Sequence, residues 1–229
     1  MTSQEMSIAL LQELQKMDSA ALEDFQPEEQ SYFLNKAVDT FIKMRLGASS
    51  DPKKLGFEGN QKRLDDLRSL VRSLFEEVAH VPGTTKYAVE FPGDYLYMID
   101  ITGKVSVMDC QGDETGSSKT ILCPITPAHE LSQTLINPFR KPNKEKIIVT
   151  YRNNKIEARV DSKWYILKGL NLTYIKKPDI IDVTLSGAGD CNLPEHTHSQ
   201  IVDLAVRHIL EVVESPRVQT QPINLQLND

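Results

Sequence analysis

The sequence predicts an α+β protein with an amino-terminal helical bundle, an antiparallel β-rich middle region, a carboxyl-terminal amphipathic helix and an extended tail. Apolar residues recur at helical spacing through the first eighty residues, and the spacing changes to that of strands after Val81-Pro82-Gly83. One more helical stretch follows residue 193, and helices never alternate with strands as they do in a parallel sheet. The predicted divisions are a bundle at 1–80, a β-rich region at 81–192, a helix packing on the core at 193–216 and a tail at 217–229.

Three helices are predicted in the bundle. The first covers residues 4–17, where Ile8, Leu11 and Leu14 recur at helical spacing. The second begins at Pro27, since proline tolerates a first helical position and acidic residues favour the first turn, and it stops at Gly47. The third is predicted over residues 60–79, with an apolar side formed by Leu64, Leu67, Leu70, Val71, Leu74, Phe75 and Val78.

Antiparallel strands are predicted in the middle region. "YLYMIDITGKVSVMD" is interpreted as two strands joined at Thr102-Gly103, and "KIIVTYRNNKIEARV" as two strands around Asn153-Asn154. Asparagine tolerates a positive φ, which a tight hairpin turn requires. "KWYILKGLNLTYIKK" is one long strand or a pair of strands, and the proline-bearing stretch from Cys123 to Lys146 is predicted to be an irregular loop.

Composition excludes several classes of protein. A net charge of −6 over 229 residues argues against a protein whose main task is to grip phosphates, which needs concentrated Lys and Arg. Three cysteines, with no pair at the spacing of metal ligands, suit reduced thiols in a cytosolic setting. The acidic residues of the first thirty positions argue against a signal peptide, and no apolar run approaches the ~20 residues that cross a bilayer, so no membrane contact is expected.

The histidines near the start of the last helix are the strongest candidates for chemistry. His196 and His198 lie two positions apart and therefore point to different helix faces, whereas paired metal ligands need a spacing of three or four. They are interpreted as polar residues of an exposed first turn. No phosphate loop, nucleophile pair or carboxylate pair is recognisable, so no enzymatic activity, cofactor or metal is expected. A small cytosolic enzyme or regulatory module that uses this pair remains the remote alternative.

Two apolar stretches and one basic stretch are candidate interaction surfaces. The last helix is expected to pack or dock through Ile201, Val202, Ala205, Ile209 and Val213. The tail alternates as a strand does, so Val218, Ile223, Leu225 and Leu227 belong either to an untidy terminus or to a strand that adds to a neighbouring subunit. The densest positive patch, a solvated loop or a surface facing a partner or DNA, contains Arg140, Lys141, Lys144 and Lys146.

The carboxyl-terminal third carries a family resemblance. Its motif comprises Tyr174-Ile175-Lys176-Lys177-Pro178, Ile181-Asp182, Leu193-Pro194-Glu195, His198 and the helix from Ile201 to Val213. Over about fifty residues this pattern resembles the head-to-tail ring or adaptor proteins of crAss-like bacteriophages. The helical first third and the middle loops match in general layout.

The resemblance implies a virion structural protein with no catalytic residues to carry over. It implies a homo-oligomeric ring of the portal–tail connector, twelvefold by analogy with portals, that joins the capsid vertex to the tail. Such a ring binds the portal and neighbouring tail or ring proteins, is made in the host cytoplasm, and lets DNA pass during genome ejection without sequence-specific binding. Another connector ring, a stopper or a tail-completion protein is the near alternative.

Overall fold

The computed structural model describes residues 1–17, 25–47, 61–78, 85–109, 114–184 and 189–212. They form two compact units. The helical unit lies within Met1–Leu70 and Pro178–Asp229, and the β unit is Val71–Lys177. The predicted α+β class is confirmed. The four-part domain division predicted from the sequence stays a prediction, and the predicted tail lies outside the described residues.

The described elements follow one another along the chain in this order. The helices are α1 (Ser3–Met17), α2 (Pro27–Leu46), α3 (Gln61–Leu67), α4 (Leu131–Ile136) and α5 (His198–Val212). The strands are β1 (Val71–Glu77), β2 (Lys86–Glu90), β3 (Tyr95–Met108), β4 (Glu114–Leu122), β5 (Ile148–Arg152), β6 (Lys155–Arg159) and β7 (Tyr165–Lys176). Two 3₁₀ turns, Arg68–Leu70 and Glu195–Thr197, precede β1 and α5.

Helix α5 packs on α1 and α2 to form the core of the helical unit. Pro27 occupies the first turn of α2, and the Glu29 carboxylate accepts a hydrogen bond from the Gln26 N–H at 3.1 Å, which satisfies one backbone donor at the helix start. Apolar side chains at helical spacing face inward from each helix. The buried set includes Met6, Leu10, Leu14, Leu34, Phe41, Ile42, Ile201, Leu204, Ala205 and Ile209.

The prediction of a helix over residues 60–79 is wrong in its second half. Helix α3 ends at Leu67, and after a 3₁₀ turn the chain continues as β1, which pairs antiparallel with β7 from Val71↔Ile175 to Glu77↔Gly169. Valine and phenylalanine are weak helix formers, and pairing with a long strand satisfies the backbone of the whole segment. The apolar positions of this stretch fit a helical period by sequence, so tertiary pairing decided the structure.

The β unit contains two antiparallel sheets whose apolar faces share one core. The four-stranded sheet has the order β1-β7-β3-β4, and the three-stranded sheet has the order β2-β6-β5. Isolated bridges join Leu122, the last residue of β4, to Lys146 and join Ile125 to Val149 of β5. The core contains Tyr87, Val89, Ile101, Val105, Ile121, Val149, Ile156, Leu167, Leu170 and Leu172.

The predicted turn at Thr102-Gly103 is wrong, because β3 runs unbroken from Tyr95 to Met108. A Cβ atom on Gly103 would lie 2.6 Å from Cδ1 of Ile147 and 3.2 Å from Sγ of Cys123. The glycine is therefore needed for close packing within a strand and does not mark a turn. Close approach of a neighbour is a common reason for an isolated glycine in a strand.

The hairpin predicted around Asn153-Asn154 is confirmed. Both asparagines have positive φ, 51° and 56°, and they join β5 to β6. The single long strand is the correct alternative for residues 165–176. The stretch predicted as an irregular loop contains the short helix α4, whose Leu131 and Thr134 are buried.

Candidate functional site

Four predicted interface residues of α5 lie inside the helical unit. Ile201, Val202, Ala205 and Ile209 are all buried, with α1 and α2 packed on the helix. These contacts are made within their own unit, so their role at a subunit interface stays a prediction. Val213, Val218, Ile223, Leu225 and Leu227 lie outside the described residues.

A buried charge cluster joins three elements of the helical unit. Arg45 on α2 places Nε 2.9 Å from Oδ2 of Asp66 on α3, with side-chain exposures of 7% and 2%. His196 places Nε2 2.8 Å from Oδ1 of the same carboxylate, and the Arg45 Nη2 donates to Oε1 of Gln200 at 2.8 Å. The Arg45 guanidinium also lies over the Phe41 ring, 4.8 Å from its centroid. One carboxylate thus connects α2, α3 and the start of α5.

Sequence reasoning missed this cluster. Asp66 follows Asp65 in a polar stretch, "QKRLDDLRS", that has the composition of an exposed helix face. The neighbouring Asp65 fits that description, since it pairs with Arg68 on the surface at 3.2 Å. No local signal separates the two aspartates, because only the packing of α2 and α5 against α3 buries one of them.

The interpretation of both histidines as exposed first-turn residues is wrong for His198. This side chain is buried, and its Nε2 must donate the 2.9 Å hydrogen bond to the Leu193 carbonyl, which can only accept. His196 is about half exposed but bonds to the buried Asp66. His198 lies three and four positions before the buried Ile201 and Val202, so helical spacing places it on the buried face of α5.

The two histidines should therefore respond differently to substitution. We expect His198→Ala to lower the free energy of unfolding by about 1–3 kcal/mol, because the buried Leu193 carbonyl loses its donor. His196→Ala should cost less, since Asp66 keeps Arg45. Urea titration of the two full-length variants tests this ordering, and a more destabilised His196→Ala variant would contradict it.

The histidine and cysteine side chains do not converge on one site in the described residues. His208 bonds to the Thr40 hydroxyl at 3.0 Å, apart from the partners of His196 and His198. Burial raises the pKa of the Cys123 thiol to about 12 and also raises that of Cys191, so both thiols stay protonated near neutral pH. Within the described ranges, no group of three His, Cys, Asp or Glu side chains could hold a metal ion.

Helix α2 holds Ile181-Asp182 of the family-like motif, in the chain segment that follows β7. In the helical unit, Asn35 of α2 donates to the Ile181 carbonyl at 2.8 Å and accepts from the Ile181 N–H at 2.9 Å. Ser31 accepts a hydrogen bond from the Val183 N–H at 3.0 Å. Side chains of α2 therefore replace the backbone partners that a strand would provide. This fixes residues 181–183 along α2.

The four predicted basic residues lie together in the β unit, after α4 and before β5. We call residues 136–146 the basic segment. Its backbone is ordered by side chains, since Asn137 Oδ1 accepts from the Phe139 N–H at 3.0 Å and Asn143 Oδ1 accepts from two further N–H groups. Lys144 Nζ lies 3.5 Å from the centroid of the Trp164 ring, and Lys146 Nζ donates to the Phe139 carbonyl at 2.9 Å. These contacts give the basic segment a defined conformation.

The basic segment also exposes two large apolar side chains. Ile136 is 83% exposed and Phe139 is 87% exposed, although each would be favoured in a core. Two shallow clefts are lined in part by cations of the same segment. One of about 220 Å³ includes Arg140 and Lys146, and one of about 260 Å³ includes Lys141 and Arg159. Cations and exposed apolar groups on one ordered loop are the composition of a protein contact surface.

Taken together, these features are typical of a protein that acts through contacts: its interior charges form structural pairs, and a basic segment with exposed apolar side chains lies on the outside. A family model described as phage tail ring protein 3/4 matches residues 1–217, and the chain belongs to this family. The resemblance to ring or adaptor proteins of crAss-like phages is thereby confirmed. The chain is a virion structural ring protein. No curated protein matches it, and no described helix is long and apolar enough to span a bilayer.

Proposed function

We propose that the chain forms one ring of the portal–tail connector and acts as an adaptor between the capsid vertex and the tail. The observation that carries this proposal is the match to a tail ring family over residues 1–217. The ordered basic segment, with its exposed Phe139, supports a role in contacts between proteins. The chain acts by assembly, without a catalytic step.

The proposed ring is a homo-oligomer of twelve copies that contacts the portal and neighbouring tail or ring proteins. Its symmetry follows by analogy with portals, since a matching number of copies lets every subunit make the same contacts. The tail is proposed to contact a neighbouring protein by strand addition, through Val218, Ile223, Leu225 and Leu227. Val213 and the α5 positions Ile201, Val202, Ala205 and Ile209 are proposed as interface residues that act through the helix itself, since the four α5 side chains pack inside their own unit.

DNA is proposed to pass through this ring without sequence-specific binding. A net charge of −6 supports passage, because an acidic wall repels the phosphate backbone. The phage genome can then move past the ring during ejection without being retained by it.

A second candidate is another ring of the connector, a stopper or a tail-completion protein. The observation that favours it is the description of the family, which names a tail ring. The two candidates differ in position along the particle axis.

Locating the chain in the virion separates these candidates. A carboxyl-terminal tag on the full chain, imaged by electron microscopy of purified particles, should label a twelvefold ring next to the portal. Label farther down the tail would favour the second candidate. Particles that lack the chain would contradict both.

A further inference from the structure

The charges of the described residues divide unequally between the two units. The described helical unit has 8 Lys and Arg residues against 13 Asp and Glu residues, a balance of −5. The described β unit has 15 against 11, a balance of +4. A modest overall charge therefore conceals an acidic unit and a basic unit within one chain. Opposite charges on separate units favour association between copies in which unlike units meet.

An acidic face lies along α2 in the helical unit. Glu28 and Asp39 are exposed, and the spacing of three and four residues places them on the same side of α2 as Ser31 and Asn35. Ser31 and Asn35 bind the segment at residues 181–183, so the two carboxylates flank that segment. The acidic face comprises Glu28, Tyr32, Asp39, Asp179, Ile180 and Asp182.

Two large apolar side chains of the acidic face are exposed. Tyr32 is 64% exposed, and Ile180 is 79% exposed beside the buried Ile181. The basic segment has the complementary composition, since Ile136 and Phe139 stand among four cations. Each surface thus combines two exposed apolar groups with four charges of one sign. Opposing charges also lie nearby: Lys36 and Lys43 on α2, and Glu145, Glu130 and Asp161 in or beside the basic segment.

We propose that a second copy of this chain occupies the basic segment: its cations and Phe139 dock on the acidic face of the next copy in the ring. The inference rests on the proposed ring function and specifies its subunit contact. Two different surfaces are involved, so the contact is head-to-tail, the type that closes into rings. Buried apolar side chains supply affinity, and complementary charges set orientation and suppress wrong pairings.

A second copy fits these observations better than DNA does. DNA would neutralise the cations but would leave Ile136 and Phe139 exposed and the acidic face unused. A neighbouring copy covers both surfaces at every step around the ring.

Charge reversal on each surface tests the contact. In the full-length protein, Arg140→Glu with Lys141→Glu should raise the dissociation constant for self-association about tenfold or more, because like charges then face each other. Glu28→Lys with Asp39→Lys should have the same effect. Combining all four substitutions recreates opposite charges and should restore self-association and the number of copies per virion. Sedimentation velocity measures the first quantity, and mass spectrometry of purified particles measures the second.

A matched control uses exposed cations of the same unit outside the basic segment. Arg72→Glu with Lys119→Glu changes the net charge equally and should assemble as the wild type does. Thermal melting confirms that every variant is folded. Normal assembly of both double variants overturns the proposed contact. If such variants also lose binding to DNA or to another virion protein, the basic segment serves that partner instead. A wild-type chain whose copies do not associate in solution and do not touch in the virion also overturns it. Particles without any wild-type chain would instead contradict the proposed function.

Discussion

Replacing Asp66 with asparagine is expected to lower the free energy of unfolding of the helical unit by about 3–5 kcal/mol. The carboxylate is 2% exposed and is the ion-pair partner of Arg45, whose side chain is 7% exposed. An amide of the same size removes the carboxylate charge that faces the buried guanidinium, and it also weakens the bond from His196. Urea unfolding of the full-length protein, followed by the circular dichroism of the helices, measures the change.

The neighbouring Asp65 provides a matched control. It forms an exposed pair with Arg68, so Asp65→Asn should cost about 1 kcal/mol or less. The double variant Arg45→Leu with Asp66→Leu should regain part of the stability lost in Asp66→Asn, since apolar pairs often replace buried ion pairs at little cost. Equal destabilisation by Asp65→Asn and Asp66→Asn would show that the cluster contributes nothing special.

Ile209→Asp is expected to unfold the helical unit or leave it several kcal/mol less stable, because the carboxylate would be enclosed without a partner. Ile209 is 0% exposed in the centre of α5, where that helix packs on α1 and α2. The yield of folded protein and its melting temperature report the effect.

The same helix contains the control for this variant. Val212 is 63% exposed one turn later, so Val212→Asp adds the same charge to α5 in contact with water. Its effect on stability should stay within about 0.5 kcal/mol, as for most surface substitutions. A folded Ile209→Asp protein with wild-type stability would mean that the buried face of α5 has been misassigned.

The candidate contact surface could be predicted only in part. The clustering of Arg140, Lys141, Lys144 and Lys146 is visible in the sequence because the four residues lie within seven positions. The exposure of Ile136 and Phe139 is not visible, since apolar residues beside a helix ordinarily face a core. The acidic face combines α2 with a segment more than 130 residues away, and only hydrogen bonds such as that from Asn35 to Ile181 bring them together.

Local chemistry determined the features that the sequence predicted by itself. The Asn153-Asn154 hairpin depends on two adjacent residues that tolerate positive φ, and α5 depends on apolar residues repeated at helical spacing. Both are properties of a short stretch of chain. The α+β class follows from the sum of such stretches.

Tertiary structure decided the features whose energy comes from distant partners. Residues 71–77 form a strand because β7 offers its edge, although their apolar pattern fits a helix equally well. The chain continues through Gly103 as β3 because it pairs there with β4 and β7, and Ile147 and Cys123 leave no room for a side chain. Asp66 is buried where Asp65 is not, because Arg45 on α2 compensates its charge. In each case burial or strand pairing outweighs a local conformational preference of about 1 kcal/mol or less per residue. The residues that provide the burial or pairing lie far away in the sequence.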